Sequence, residues 1–378
     1  MNERIYLSSP HLGKEEIVFI KKAFSENWVA PLGPNVDGFE GDICKYTGIK
    51  NCAALTSGTS AIHLALIMLG VEEGDEVLAS SFTFSATINP IVYQKANPVL
   101  IESESDTWNM SPEFLEEAIN DRLNKGKKLK AIIPVHLYGM PSKIEEIKAI
   151  ANEYEIPVIE DAAEALGSEY KGKKLGTFGD IGVFSFNGNK IITTSGGGAL
   201  VSNNDQYVSK ARFLATQARD SAAHYEHSQI GYNYRMSNVS AGIGRGQMLV
   251  LPEWIIKRRS IFESYKNELS DIDGISFLDE PNPDFFSNRW LTTILVDPAK
   301  TKGLSREDLR LACEIENIET RPLWKPMHLQ PIFKDCPYYG NSLSERLFDQ
   351  GLCLPSGSNM TGEQLDRVLC LIKKKLGK

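Results

Sequence analysis

Long apolar runs, paired cysteines and an excess of basic residues are all missing from this chain, and each absence removes a class of function. The longest uncharged run, residues 51–71, has the roughly 18 residues that a membrane-spanning helix needs but is broken by the polar Thr56-Ser57-Gly58-Thr59-Ser60, so no membrane partner is expected. The opening Met-Asn-Glu-Arg-Ile-Tyr has neither the basic start nor the apolar stretch of a secretory signal, which points to a cytoplasmic protein. The six cysteines (Cys44, Cys52, Cys313, Cys336, Cys353 and Cys370) include no Cys-x-x-Cys pair and no zinc-like spacing with histidine, so free thiols and no metal are expected. A net charge of −8 argues against a nucleic-acid surface, although a small anion needs only a few local donors. Histidine is scarce too, and the one close pair, His224 and His227, has no third ligand in view; a surface or substrate-side role is the simpler reading.

What is present is the pattern of an α/β protein. With 42% hydrophobic residues over 378 positions, the chain can bury two cores. Helical periodicity over residues 14–28 and 35–46 is followed by short apolar runs at 52–56, 76–79, 98–101, 131–135 and 156–159, which read as strands. Helices are expected between them, at 61–69, 85–94, from Ser111-Pro112 onward and at 142–154. Apolar strands alternating with amphipathic helices imply a mainly parallel sheet covered on both faces, with small ligands at the strands' carboxyl ends. Two further strands, 183–186 and 198–202, flank a Gly-rich turn, and a helix follows at 206–217. Residues 237–269 read as helix interrupted by Pro252. The boundary between a large domain, 1–254, and a smaller C-terminal α/β domain, 255–378, is placed there. The second domain shows a strand at 291–296, a helix at 306–316, a strand at 319–322 and a terminal helix at 362–376.

Four separated features carry chemistry. Ser57-Gly58-Thr59-Ser60 joins a strand to a helix, where small residues let backbone N–H groups approach an anion; alone it is an ordinary cap. The apolar strand Val158-Ile159 ends in Glu160-Asp161, and alternation sends these two carboxylates to opposite sides. Ser185-Phe186-Asn187-Gly188-Asn189-Lys190 puts a lysine in a polar turn after a buried strand, where desolvation would favour a neutral, nucleophilic amine over an ordinary surface charge. Last, Gly231-Tyr232-Asn233-Tyr234-Arg235 is an aromatic loop before a long helix that Ser237 can cap. Trp28 and Trp324 read more readily as core than as binding platforms.

In this order these residues resemble the DegT/StrS family of nucleotide-sugar aminotransferases, from Pro31-Leu32-Gly33-Pro34 to Leu354-Pro355-Ser356-Gly357. The resemblance implies the aspartate-aminotransferase-like fold, with a mainly parallel seven-stranded sheet in its large domain, and pyridoxal 5'-phosphate (PLP) as cofactor. It also implies roles. Lys190 forms the Schiff base and moves the proton, and Asp161 pairs with the pyridine nitrogen. Phe84 stacks on the ring, Gly58, Thr59 and Ser185 contact the phosphate, and Glu164 lies near the ring hydroxyl. Asn233 reaches the phosphate of a neighbouring subunit, which implies a homodimer. Asn187, Arg321 and His328 are the substrate-side candidates, with Arg321 on the nucleotide diphosphate.

The runs Phe186-Asn187-Gly188-Asn189-Lys190-Ile191-Ile192 and Glu319-Thr320-Arg321-Pro322-Leu323-Trp324-Lys325-Pro326-Met327-His328 look like the branch of bacillosamine-type sugar synthesis. Its enzymes make UDP-4-amino-4,6-dideoxy-N-acetylglucosamine by moving an amino group from L-glutamate to a nucleotide-linked 4-keto sugar. Many relatives have His or Gln in place of Glu164, His in place of Asn187, and Gly-Glu-Gly-Gly in place of Ser195-Gly196-Gly197-Gly198. Three alternatives stand beside this one: a 3-keto sugar aminotransferase, a PLP-dependent sugar dehydratase, in which histidine replaces the lysine, and a non-catalytic sugar-binding regulator.

Overall fold

The computed structural model describes residues 3–378. Two helices, α1 (Glu16–Ser25) and α2 (Pro34–Thr47), lead into β1 (Asn51–Leu55), α3 (Gly58–Met68), β2 (Glu76–Ser80), α4 (Asn89–Tyr93) and β3 (Asn97–Ile101). The alternation continues with α5 (Pro112–Asn124), β4 (Leu129–Ile133), α6 (Ile144–Glu153) and β5 (Ile159–Asp161). A short hairpin, β6 (Glu169–Tyr170) and β7 (Lys173–Lys174), precedes β8 (Ile181–Ser185), β9 (Gly198–Ser202), α7 (Asp205–Ala215) and the long α8 (Asn238–Leu269).

The large sheet has the order β1-β9-β8-β5-β4-β2-β3, with β4 and β5 joined through the parallel bridges Ile132–Val158 and Val135–Asp161. Its pairs are parallel except where β9 runs against β1 and β8. This is the seven-stranded arrangement that the family resemblance implied. Alternation explains how both faces are covered. Val77, Ala79, Leu100, Ala131 and Ile133 enter one apolar core, while Leu78, Val99, Ile101 and Ile132 enter another. Each such fully buried Val, Leu or Ile stabilises the fold by about 1.5–3 kcal/mol.

Helix starts follow their caps. Ser57, Ser111 and Ser237 each accept a backbone N–H from the first turn of α3, α5 and α8. The helix expected at 85–94 is shorter. It begins only at Asn89-Pro90, where proline suits the first turn. Residues 81–88 form a turn whose Thr87 side chain bonds to Asp161. The interruption expected at Pro252 does not occur, and α8 runs through it. Proline forfeits one backbone bond there, but its buried neighbours Leu251, Trp254 and Ile255 anchor both halves against the core.

The second unit comprises β10 (Ile275–Phe277), β11 (Phe285–Phe286), β12 (Thr292–Val296), α9 (Arg306–Ile315), β13 (Arg321–Pro322), β14 (Tyr338–Tyr339), α10 (Leu343–Gln350), β15 (Gly351–Leu354) and α11 (Gly362–Lys375). The sheet β10-β12-β15-β13, with α9, α11 and the end of α8, encloses a separate core containing Tyr265, Leu269, Val296, Leu309, Leu354 and Val368. We place the division between the units inside α8, near residues 254 and 255. Several segments cross it, among them β11, which pairs with β6 of the short hairpin. Ile5 belongs to the smaller core and bridges to Ile318, while β14 pairs with β3 at the edge of the large sheet.

Candidate active site

At the carboxyl ends of β1, β5 and β8 lies a cavity of about 350 Å³. It is lined by Ser57, Gly58, Thr59, Phe84, Thr87, Asp161, Glu164, Ser185, Asn187 and Lys190, among others. At one end, Ser57 uses its side chain to cap Ser60, and the N–H groups of Gly58 and Thr59 lie in the first turn of α3, where a helix has no internal acceptor. Their partial positive charge faces the cavity, an arrangement suited to a phosphate. A Cβ on Gly58 would lie 3.2 Å from Cβ of Ser185, and one on Gly198 would lie 2.3 Å from the carbonyl carbon of Ser57. Glycine at both places lets β8 and β9 press directly behind the turn.

Along β5 the alternation holds. Glu160 turns away from the cavity and accepts hydrogen bonds from His136 Nε2 (2.9 Å) and the N–H groups of Gly176, Phe178 and Gly179. His136 Nδ1 accepts from Ser142 N–H, so its single proton sits on Nε2 and the ring is neutral. Burial alone would raise the Glu160 carboxyl, but His136 and the backbone donors hold it below its usual value. Its role is architectural. Asp161 points the other way. It is 4% exposed, and its oxygens accept from the Thr87 hydroxyl (2.8 Å) and Ala163 N–H (3.1 Å). Among the described residues no cation touches it, and burial pushes its carboxyl above the ordinary value of 3.8.

Lys190 stands on the turn after β8. Its Nζ is 3.3 Å from Glu164 Oε1 and 4.1 Å from the centre of the Trp290 ring. The carbonyl of Asn189 accepts from both Ser8 Oγ (2.8 Å) and Trp290 Nε1 (2.7 Å), which pins the turn. Glu164 also accepts from Tyr138 N–H (2.7 Å). Phe84 is half exposed at the mouth, 5.2 Å from Trp324.

A second cavity of about 640 Å³ shares the walls Thr83, Phe84, Asn189, Trp290 and Trp324, and it is lined further by Glu319, Arg321, Lys325 and Gln330. Arg321 is exposed there, with Nε and one terminal nitrogen on Glu319 Oε1. His328 lines neither cavity. It bonds to Ser81 Oγ (2.7 Å) and stacks on Tyr338, so packing accounts for it. Asn233 also lies outside both cavities, exposed and bridged to Thr216. His227 donates to the Gln217 carbonyl and His224 faces Glu226, both on the surface. Trp324, read as core from sequence, instead forms a wall between the two cavities. Thr87, Tyr138 and Trp290 were not singled out in the sequence. Thr87 lies three residues after Phe84, in Ser81-Phe82-Thr83-Phe84-Ser85-Ala86-Thr87, and no periodic or motif signal marks Trp290.

These residues fit pyridoxal phosphate. The helix N-terminus suits the phosphate, the buried carboxyl of Asp161 lacks the cation that a protonated ring nitrogen provides, and Lys190 supplies an amine in the same cavity. Such a set defines a PLP-dependent enzyme. The DegT/DnrJ/EryC1/StrS aminotransferase family model matches residues 10–373. EpsN of Bacillus subtilis strain 168, named as a pyridoxal phosphate-dependent aminotransferase, is 54% identical over 98% of this chain and 95% of its own length. The GDP-perosamine synthase of Escherichia coli O157:H7 is 36% identical over 94% of each chain. The crystal structure of a DegT DnrJ EryC1 StrS aminotransferase from Brucella abortus superposes with a TM-score of 0.88, at 28% identity and 96% coverage of both chains. The chain belongs to the DegT/DnrJ/EryC1/StrS aminotransferase family and is a PLP-dependent sugar aminotransferase. No helix among the described residues is long and apolar enough to cross a membrane.

Proposed function

We propose that this enzyme transfers the amino group of L-glutamate to a nucleotide-linked 4-keto-6-deoxy sugar, UDP-2-acetamido-2,6-dideoxy-hexos-4-ulose. The observation that carries the reading is one cavity holding Lys190, Asp161 and the α3 N-terminus, beside a second cavity walled by Arg321, Trp324 and Lys325. Those three residues belong to the run whose likeness to the bacillosamine branch suggested a UDP-sugar, so the run lies where a substrate would be read.

When bound, PLP supplies an aldehyde that bonds to amines and a ring that holds the electron pair left as a C–H proton departs. Lys190 gives the amine and moves the proton between cofactor and sugar carbons. Asp161 keeps the ring nitrogen protonated. Gly58, Thr59 and Ser185 would hold the phosphate, Phe84 would lie against the ring, and Arg321 would take an anionic group of the nucleotide. Donor and acceptor would occupy the same cavity in turn, a ping-pong order. Incubation with UDP-, dTDP- and GDP-linked keto sugars and L-glutamate, with NMR of the product, should show amination at C4 of the UDP-sugar. Preferential turnover of the GDP-sugar, or amination at C3, would refute the assignment.

The working unit is a homodimer in this reading. Asn233 is outside its own chain's cavity, while Trp28, Leu32, Val92 and Tyr93 leave apolar surface exposed. If Asn233 serves the partner's phosphate, Lys190→Ala and Asn233→Ala subunits should complement each other. Random reassortment of the two inactive variants would restore about a quarter of wild-type activity, because one site in each heterodimer is intact. No recovery after mixing, with heterodimers shown to form, would place Asn233 elsewhere.

A further inference from the structure

Asp161 and Glu164 share the turn after β5, both 4% exposed, and they face a cavity with one amine. A protonated ring nitrogen answers Asp161. Among the described residues Glu164 Oε1 meets only the Lys190 amine, at 3.3 Å, on the side where the resemblance places the ring hydroxyl. Its other oxygen is fixed by Tyr138 N–H, and Tyr138 adopts φ 54°, a left-handed conformation uncommon for a non-glycine residue. With Oε2 held by Tyr138 N–H, Oε1 is the oxygen that faces the amine. The titratable groups around this pair are Asp161, the Tyr138 hydroxyl, the Cys353 thiol and, through Asp161, His136. Burial lifts the Glu164 carboxyl above its usual range against the pull of Lys190 and Tyr138 N–H, and the charge of Asp161 adds to the lift.

An ammonium group can neither attack a carbonyl carbon nor take a proton from a substrate, so Lys190 must first become neutral. The acceptor in reach is Glu164 Oε1. A carboxylate left ionised beside a neutral amine would be buried without a counter-charge, which burial disfavours strongly. We propose that Glu164 is the proton partner of Lys190. The ammonium N–H bond breaks as an O–H bond forms on Glu164 Oε1, and the reverse transfer restores the ion pair. One proton moves between two side chains, no oxidation state changes, and the lysine gains its nucleophilic form without passing a proton to solvent. The proposal rests on the reading of Lys190 as the amine that bonds cofactor and substrate.

Glutamine at this position can keep the contacts to Tyr138 and Lys190 but cannot take the proton, which makes Glu164→Gln the discriminating variant. Infrared difference spectra of the PLP-loaded minus the cofactor-free protein should gain the carbonyl stretch of a protonated carboxyl in the wild type and in Asp161→Asn. The band should be lost in Glu164→Gln. Cofactor-free Lys190→Met should show the band already, and the Lys190→Met, Glu164→Gln double variant should not; this arm stands even if Glu164→Gln alone folds poorly. Absence of the band from the wild type, while visible absorption shows Lys190 bonded to the cofactor, overturns the proposal and leaves the function reading intact. A lysine-bonded absorption that persists in Lys190→Met overturns the reading itself.

Discussion

Lys190→Ala should lose at least about 10²–10⁴-fold in turnover, the range that one positioned proton-transfer group contributes. It should also lose the visible absorption of a cofactor bonded to lysine. The fold should survive. The side chain is 12% exposed and its contacts are the ion pair with Glu164 and the face of Trp290, neither of which holds a strand or helix in place. Lys190→Arg separates charge from chemistry. Arginine can pair with Glu164, but a guanidinium stays protonated at any working pH and offers no nucleophilic amine. Both variants should therefore be inactive, with circular dichroism of the wild type. Turnover by Lys190→Ala within tenfold of the native enzyme would mean that the amine in this cavity is not the one that works.

The large sheet was legible because its strands obey a simple rule. Runs such as residues 77–79 and 98–101 are buried on both faces, so they stand out as short apolar segments between amphipathic helices. The two-residue strands β6, β7, β11 and β14 left no such trace, being too short for a period to appear. Pro252 misled for a different reason. Its cost to a helix is local, and the burial of Leu251, Trp254 and Ile255 around it is tertiary.

The site divides in the same way. Gly58, Asp161, Ser185 and Lys190 sit at or just after strand ends, where topology sends ligands, and they line one cavity. Trp290 and Trp324 come from the second unit and reach the cavity only because the chain folds back over the sheet. Nothing local in their sequence distinguishes a wall from a core. His328 shows the converse. It belongs to the run that marks the substrate side, yet it bonds to Ser81 and packs against Tyr338.

Asp161→Asn should weaken the enzyme and strengthen the cofactor-free fold. The amide can still accept from Ala163 N–H through its oxygen and donate to Thr87 Oγ1, whose own proton can turn to Thr83 Oγ1 at 2.7 Å. What disappears is a buried negative charge that no cation among the described residues touches. Because burial raises the folded carboxyl above its ordinary value of 3.8, its contribution to stability is full below that pH and declines as pH rises through the folded value. The variant cannot ionise, so it should match the wild type in acid and exceed it at neutral pH, by about 1–2 kcal/mol for a single-site change of this kind. Loaded with PLP the order reverses, since the ring nitrogen then loses its carboxylate, and turnover should fall by about 10²–10³, the usual size of one preorganised electrostatic contact. Denaturant titrations of both cofactor-free proteins across pH 4–8, with steady-state kinetics of the loaded forms, test both halves. A variant less stable than the wild type at neutral pH would show that Asp161 is held by the scaffold as a structural acceptor and is not waiting for a cationic ring.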